Sequence, residues 1–166
     1  MAEMRVYIAN LGKYNEGELV GAWFTPPINF DEVKERIGLS EEYEEYAIHD
    51  YELPFTIGEY CSIEEINRLC AVVERVTELV PESDLRDVVS GLGFTDVEDL
   101  EDHIDDIHHY ECGSIEELVD ERIGEGSFGE IPDALMSYID TAAIARDLKV
   151  ENFYVVTSNG LYEYMG

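Results

Sequence analysis

Residues 87–121 read DVVSGLGFTDVEDLEDHIDDIHHYECGSIEELVDE, with 13 acidic residues in 35 positions and no Lys or Arg. Apolar residues recur through the stretch at structural spacing: Val97, Leu100, Ile104 and Ile107 fall on one side of a helical wheel. The acids therefore belong to folded elements and have fixed positions. On the expected helix, Asp96, Glu98, Asp99, Glu101, Asp102, Asp105 and Asp106 cover the remaining circumference. They form three like-charge pairs at i,i+4 and four at i,i+3, a cost of roughly 1.5–3.5 kcal/mol before screening. Asp96, Glu98 and Asp99 recover part of it from the helix dipole. A neutral solvated face would alternate its signs. Tolerated repulsion points to a use for it, so the fixed carboxylates are read as the functional surface.

A second window, Ile37 to Asn67, has 9 acids in 31 positions and again no fixed positive charge. The candidate partner-binding acids here are Glu41, Glu42, Glu44, Glu45, Asp50, Glu59, Glu64 and Glu65. In the first window they are the seven named above with Asp87, Glu111, Glu116, Glu117, Asp120 and Glu121.

Around these windows the pattern is α+β. Met4 to Leu11 and Leu19 to Phe24 read as strands separated by the turn-forming Tyr14-Asn15-Glu16-Gly17. Asn29 reads as a helix N-cap with Glu32 at N3 and a stripe of Phe30, Val33 and Ile37; Gly38 stops that helix. Tyr43 to Leu53 is extended and closed by Pro54. Ser62 with Glu65, Thr95 with Glu98, and Ser114 with Glu117 read as capping boxes, the first heading a helix with Ile63, Ile66, Leu69, Cys70, Val73 and Val76 on one face. Pro81 starts a further helix ending near Gly91-Leu92-Gly93. Ile107 to Cys112 reads as a strand, and Pro132 opens a helix through Leu135, Met136, Ile139, Ala142, Ala143 and Ile144. Residues 153–164 spell a hairpin about Asn159-Gly160. The expected division is a sheet-plus-helix segment (1–60), a helical acidic segment (61–106) and a mixed α/β segment (107–166). Ile48–Glu52 and Ile107–Glu111 echo one another, as do Ser62–Glu65 and Ser114–Glu117, but at unequal offsets.

The balance of 39 acids against 10 bases gives a formal charge of -29. It argues against direct nucleic-acid binding, which needs Lys and Arg on phosphates, and against an anionic membrane surface. An electrostatic partner should be basic. Cys61, Cys70 and Cys112 form no CxxC and no even set, which favours a reducing cytosol. No leader-like start and no long apolar run is seen, so secretion and membrane insertion are not expected.

Motifs with specific chemistry are weak. Gly124, Gly126 and Gly129 satisfy G-x-G-x-x-G, but a helix precedes them and Glu125 and Glu130 would repel a pyrophosphate. His108, His109 and Cys112 lack the second ligand pair of a zinc site. Thr95 to Asp106 has the charge of a calcium loop without its glycine. With 39 acids, paired carboxylates arise by chance, and no nucleophile–base pair stands out. The expectation is a non-enzyme with no metal and no cofactor. The alternative is a salt-adapted or cation-binding globular protein; the 3 Lys suit it, whereas 26 Glu against 13 Asp do not.

Arg5-Val6-Tyr7-Ile8-Ala9-Asn10-Leu11, Tyr14-Asn15-x-Gly17-x-Leu19-x-Gly21-x-Trp23 and Glu45-Tyr46-Ala47-Ile48-His49-Asp50-Tyr51-Glu52 resemble the ArdA antirestriction proteins of conjugative plasmids and transposons. The resemblance spans essentially the whole chain. It implies an elongated chain of three small domains, a homodimer, and a DNA mimic that occupies the DNA-binding groove of type I restriction–modification enzymes, the methyltransferase core above all. It implies no catalytic residues. B-DNA carries two charges per base pair, so a charge of -29 equals that of about 14–15 base pairs. The least charged long segment, Ile131 to Ala145 with Phe128, is the expected dimer contact through Phe128, Ile131, Leu135, Met136 and Ile139.

Overall fold

The apolar run Val6-Tyr7-Ile8-Ala9 builds the central strand of the first of two sheets. In the computed structural model, which describes residues 3–166, β1 (Arg5–Asn10) pairs antiparallel with β2 (Gly21–Phe24) on one side and β3 (Tyr46–Glu52) on the other. Val6, Ile8 and Ala9 are fully buried. Between β1 and β2 lies a short helix, α1 (Leu11–Asn15). The helix α2 (Phe30–Ile37) packs on β1 and β2 and buries Val33 and Ile37 completely. Asn29 caps it by accepting from the backbone N–H groups of Asp31 and Glu32, and Gly38 ends it in the left-handed region (φ 69°).

Asn10 holds these pieces in register. Its side chain is fully buried. The amide Nδ2 donates to the carbonyls of Ile37 (3.0 Å) and Gly38 (3.2 Å), while Oδ1 accepts from the Lys13 N–H at 3.1 Å. One neutral residue thus caps α1 and satisfies the open carbonyl end of α2.

The helix α3 (Ile63–Val76) buries Ile63, Ile66, Leu69, Cys70, Val72, Val73 and Val76. Ser62 caps it by accepting from the Glu65 N–H, and the Ile63 N–H donates to Tyr46 Oη at 3.2 Å. The Asn67 amide pairs with the Ile28 backbone in both directions, at 2.6 and 2.9 Å. The chain divides into two compact units, Met1–Leu85 and Arg86–Gly166, and the break falls inside α4 (Glu82–Gly91).

The second unit contains α5 (Val97–Asp102), a 3₁₀ turn at Ile104–Asp106, β4 (Ile107–Tyr110), α6 (Ile115–Gly124), α7 (Asp133–Met136), α8 (Thr141–Glu151), β5 (Phe153–Thr157) and β6 (Gly160–Tyr164). Its antiparallel sheet has the order β4-β6-β5. The core is Cys112, Ile115, Leu118, Val119, Ala145 and Leu161, with Tyr110, Ile144, Leu148 and Tyr154 against it. Here α6 packs on α8 and α8 on β5. Gly160 turns the hairpin at φ 133°, where any Cβ would collide with the Tyr110 carbonyl.

The α+β expectation holds, and the expected C-terminal strand and hairpin prove to be one antiparallel sheet; four local expectations are corrected. The stretch before Gly17 is helical because Asn10 caps it. The helix of the acidic window is capped by Asp96, not Thr95: Asp96 accepts from the Glu98 and Asp99 N–H groups, and Asp99 Oδ2 accepts from the Thr95 N–H at 2.9 Å. That helix stops at Asp102, where the backbone tightens into the 3₁₀ turn. The i,i+4 pairs 101–105 and 102–106 never form within it, leaving three same-sign pairs in α5 (98–101, 98–102, 99–102) and a cost of about 0.6–1.5 kcal/mol. Finally, the helix expected from Pro132 to Ile144 is two helices. Asp140 interrupts it by accepting from the Ala143 N–H (3.1 Å) as the cap of α8.

Replacing Asn10 with Ala leaves the Ile37 and Gly38 carbonyls without this donor and uncaps α1. The first unit should lose about 2–3 kcal/mol, read in urea unfolding by the fluorescence of Trp23 in β2. An unchanged midpoint would show that the amide does not pin these elements.

Candidate acidic interaction surface

The sequence-predicted acids fall on every kind of element. Glu41, Glu42, Glu44 and Glu45 lie in the loop entering β3, Asp50 on β3 itself, and Glu59 in the turn before α3. Glu64 and Glu65 occupy the first turn of α3, and Glu116 and Glu117 that of α6. Both pairs gain from the positive end of the helix dipole. Asp87 is on α4, Asp105 and Asp106 in the 3₁₀ turn, Glu111 just after β4, and Asp120 and Glu121 on α6. All are exposed except Glu98, Asp99 and Glu101 on α5, which are half-buried.

Several of these acids have local structural duties. Asp96 and Asp99 cap α5, and Glu117 accepts from the Gly113 N–H at 2.7 Å. Glu65 lies 3.9 Å from Arg68 and accepts from Cys61 Sγ; Glu121 accepts from Cys112 Sγ. The carboxylates of Glu41, Glu44, Glu64, Asp102, Asp105, Asp106, Glu111, Glu116 and Asp120 make no hydrogen bond or ion pair among the described residues.

Several cations of the first unit are held close to home. Arg5 forms a bidentate pair with Glu52 at 2.7 and 2.9 Å and lies 4.6 Å from the Trp23 ring. That hydrogen bond raises the Arg5 guanidinium pKa and lowers that of the Glu52 carboxyl. Arg36 bonds the Trp23 carbonyl and Glu32 and stacks 4.4 Å over Phe24. Lys13 lies over Tyr43 and Lys34 over Phe30. The first unit has 19 acidic against 6 basic residues and the second 20 against 4, so both are strongly negative.

Two carboxylates are inside, Asp84 on α4 and Glu163. Glu163 on β6 is 1% exposed, and the sequence reading missed it because it occupies an ordinary hairpin position. It accepts from Tyr110 Oη (3.1 Å), Asn152 Nδ2 (3.4 Å), Arg122 Nη2 (3.4 Å) and Tyr154 Oη. Four donors replace its hydration. Burial, then the Glu163 hydrogen bond, pushes the Tyr154 hydroxyl up to about 12. Burial also raises the Tyr110 hydroxyl, with Arg122 opposing and Glu163 adding. Burial works against the Arg122 charge, yet Tyr110 and Glu163 carry its pKa above the usual value. Tyr110 and Arg122 lie 53 and 41 positions away in sequence, so no local signal marked this acid.

Other chemistry finds little support. His108 and His109 are successive residues of β4 and so face opposite ways, while Cys112 is buried in the core. Among the described residues no three His, Cys, Asp or Glu side chains are grouped to hold a metal ion. Burial raises Cys61 and Cys112 to about 11 and Cys70 to about 12, so none is a ready thiolate. Gly126 and Gly129 form a turn after α6, not a strand-to-helix phosphate loop. Of the expected dimer residues, Phe128, Leu135 and Met136 are exposed, and Ile131 and Ile139 half-buried. No helix among the described residues is long and apolar enough to cross a membrane.

Two small antiparallel sheets with helices, bearing 39 acids against 10 bases, make this an acidic α+β protein. A family model described as antirestriction protein (ArdA) matches residues 6–163, and the chain belongs to that antirestriction family. No curated protein matches the chain.

The Glu163 cluster gives a pH signature with a definite sign. The folded pKa of Tyr154, about 12, exceeds its ordinary value of 10.0, so its stabilisation is complete below pH 10 and disappears as pH rises through 12. Alkaline unfolding followed by circular dichroism should show this loss, and Tyr154→Phe should flatten it. Identical alkaline profiles for the two proteins would remove Tyr154 from the account.

Proposed function

We propose that this antirestriction protein acts as a DNA mimic. Its exposed carboxylates stand where an enzyme expects phosphates, and it competes for the DNA-binding groove of type I restriction–modification enzymes, chiefly their methyltransferase core. The observation that carries this reading is an asymmetry of pairing: Arg5, Lys13, Lys34, Arg36 and Arg122 sit against neighbouring rings or acids, while many outward carboxylates have no internal partner among the described residues. Such a surface steers a basic groove toward itself and loses affinity as salt screens it. With no bases to methylate and no strand to cut, the bound protein is an inhibitor, and mobile DNA entering the cell is protected. The site of action is the cytoplasm.

The partner-binding acids are those identified from the sequence, and the three-segment division belongs to the same proposal. A homodimer formed through Phe128, Ile131, Leu135, Met136 and Ile139 would extend the array to the charge of about 29 base pairs. The loop and α7 bearing Phe128, Leu135 and Met136 expose apolar area, where two copies meet with little repulsion.

A purified type I methyltransferase, pre-bound to fluorescent DNA, should release it on addition of this protein, with the inhibition constant rising steeply with salt. Undisturbed DNA at a large molar excess would end the proposal. Single changes such as Asp105→Asn should alter inhibition less than about 3-fold, since an exposed charge contributes little through solvent. Combining Glu98→Gln, Asp102→Asn, Asp105→Asn and Asp106→Asn should weaken it cumulatively. For the dimer, sedimentation should show one species of twice the chain mass, and Leu135→Glu with Met136→Glu should give monomers; a monomeric parent protein would refute it.

A further inference from the structure

A hollow of about 440 Å³ opens beside the first sheet, lined by Leu11, Glu44, Glu45, Tyr46 and Tyr60. The backbone fixes its walls. The Leu11 N–H donates to the Glu45 carbonyl (3.0 Å), joining α1 to the start of β3, and the Ile48 N–H donates to the Glu59 carbonyl (2.7 Å), holding the turn that bears Tyr60 against β3. Tyr46 is anchored through its hydroxyl, which accepts from the Ile63 N–H. Tyr60 is 71% exposed, so its ring is open to a partner at the rim of this hollow.

The same unit shows what such a combination holds. A neighbouring hollow lined by Phe30, Lys34, Glu41 and Glu44 already contains a cation of the chain: Lys34 Nζ lies 5.0 Å from the Phe30 ring. Arg5 sits between Trp23 and Glu52 in the same manner. Beside Tyr60, two carboxylates and two aromatic rings are assembled, and among the described residues no ring-stacked cation lies over Tyr46 or Tyr60.

We infer that the Tyr60 hollow is a specific anchor for an arginine side chain of the protein partner. The guanidinium stacks on Tyr60 or Tyr46 and is bridged by Glu44 and Glu45, with its alkyl stem against Leu11. A planar fork fits rings and carboxylates together better than a hydrated ammonium does. The inference rests on the partner being a basic protein groove, as proposed above. It adds to the diffuse carboxylate array one point of geometric recognition, of the aromatic kind that dominates interface energetics.

Two measurements decide it, and they fail separately from the DNA-mimic reading. First, the protein alone is titrated with Nα-acetylarginine N-methylamide while the ring resonances of Tyr46 and Tyr60 are followed by NMR. Saturable shifts are expected, weaker with the lysine analogue, absent with the neutral citrulline analogue, and lost in both Tyr60→Ala and Glu44→Gln/Glu45→Gln. Equal responses to arginine and citrulline, or no saturation, would overturn the pocket without reference to any enzyme. Second, Tyr60→Ala removes no charge, so a purely diffuse array predicts unchanged inhibition of the methyltransferase. The anchor predicts inhibition weaker by roughly 5- to 30-fold with the same salt slope. Unchanged inhibition by Tyr60→Ala would refute the anchor, whereas failure of the parent protein to displace DNA would refute the mimic and leave the arginine titration to decide the pocket.

Discussion

Thirty-nine acids and ten bases cannot neutralise one another, and this imbalance constrains every other feature of the fold. Self-repulsion favours the extended chain, so each unit must fold on attractions that do not involve countercharge. Fully buried aliphatics supply most of it, at about 25 cal/mol per Å² of apolar surface removed from water. Neutral amides supply the positioning. Asn10 joins the first strand to the end of α2, and Asn67 clasps the Ile28 backbone. Asparagine can do this at any ionic strength because it carries no charge to be screened.

The scarce cations are placed so that they fix structure locally. Arg5, Lys13, Lys34 and Arg36 each lie over a ring of the first unit, and Arg122 shares the buried Glu163 with two tyrosines and Asn152. A guanidinium stacked on Trp23 and paired with Glu52 strengthens one sheet, but it neutralises only one acid. The outer acids remain charged and solvated, at modest cost per carboxylate because water and salt screen them. Glu163 marks the contrast: a carboxylate placed in the core requires several donors around it.

The local geometry also moderates repulsion. Had the acidic window continued as one helix to Ile107, acids one turn apart would have stacked along its length. Stopping at Asp102 and turning through Ile104–Asp106 sends Asp105 and Asp106 off that face. The first-turn acids of α3, α5 and α6 sit where helix dipoles favour them. A surface dense in negative charge is thus assembled from positions where each charge is locally tolerable.

The sequence by itself determined the strands, most caps and the composition of the surface. These depend on neighbours a few residues away: Asn29, Ser62 and Ser114 cap from their own first turns, and Asn159-Gly160 turns its hairpin. It also carried the family resemblance in residues 5–23 and 45–52. What only the tertiary structure decided are features that join distant segments. Asn10 reads as the end of a strand until Ile37 and Gly38, 27 and 28 positions away, are brought to its amide. Asp96 as cap in place of Thr95, and Asp140 splitting a helix that periodicity had joined, are local contacts two or three residues long; there the pattern offered more than one acceptable start and the backbone chose between them. Glu163 and Tyr60 look alike on paper, an acid and a ring among many. One is interior and the other bare, because burial is set by which elements cover a side chain and not by its neighbours in sequence.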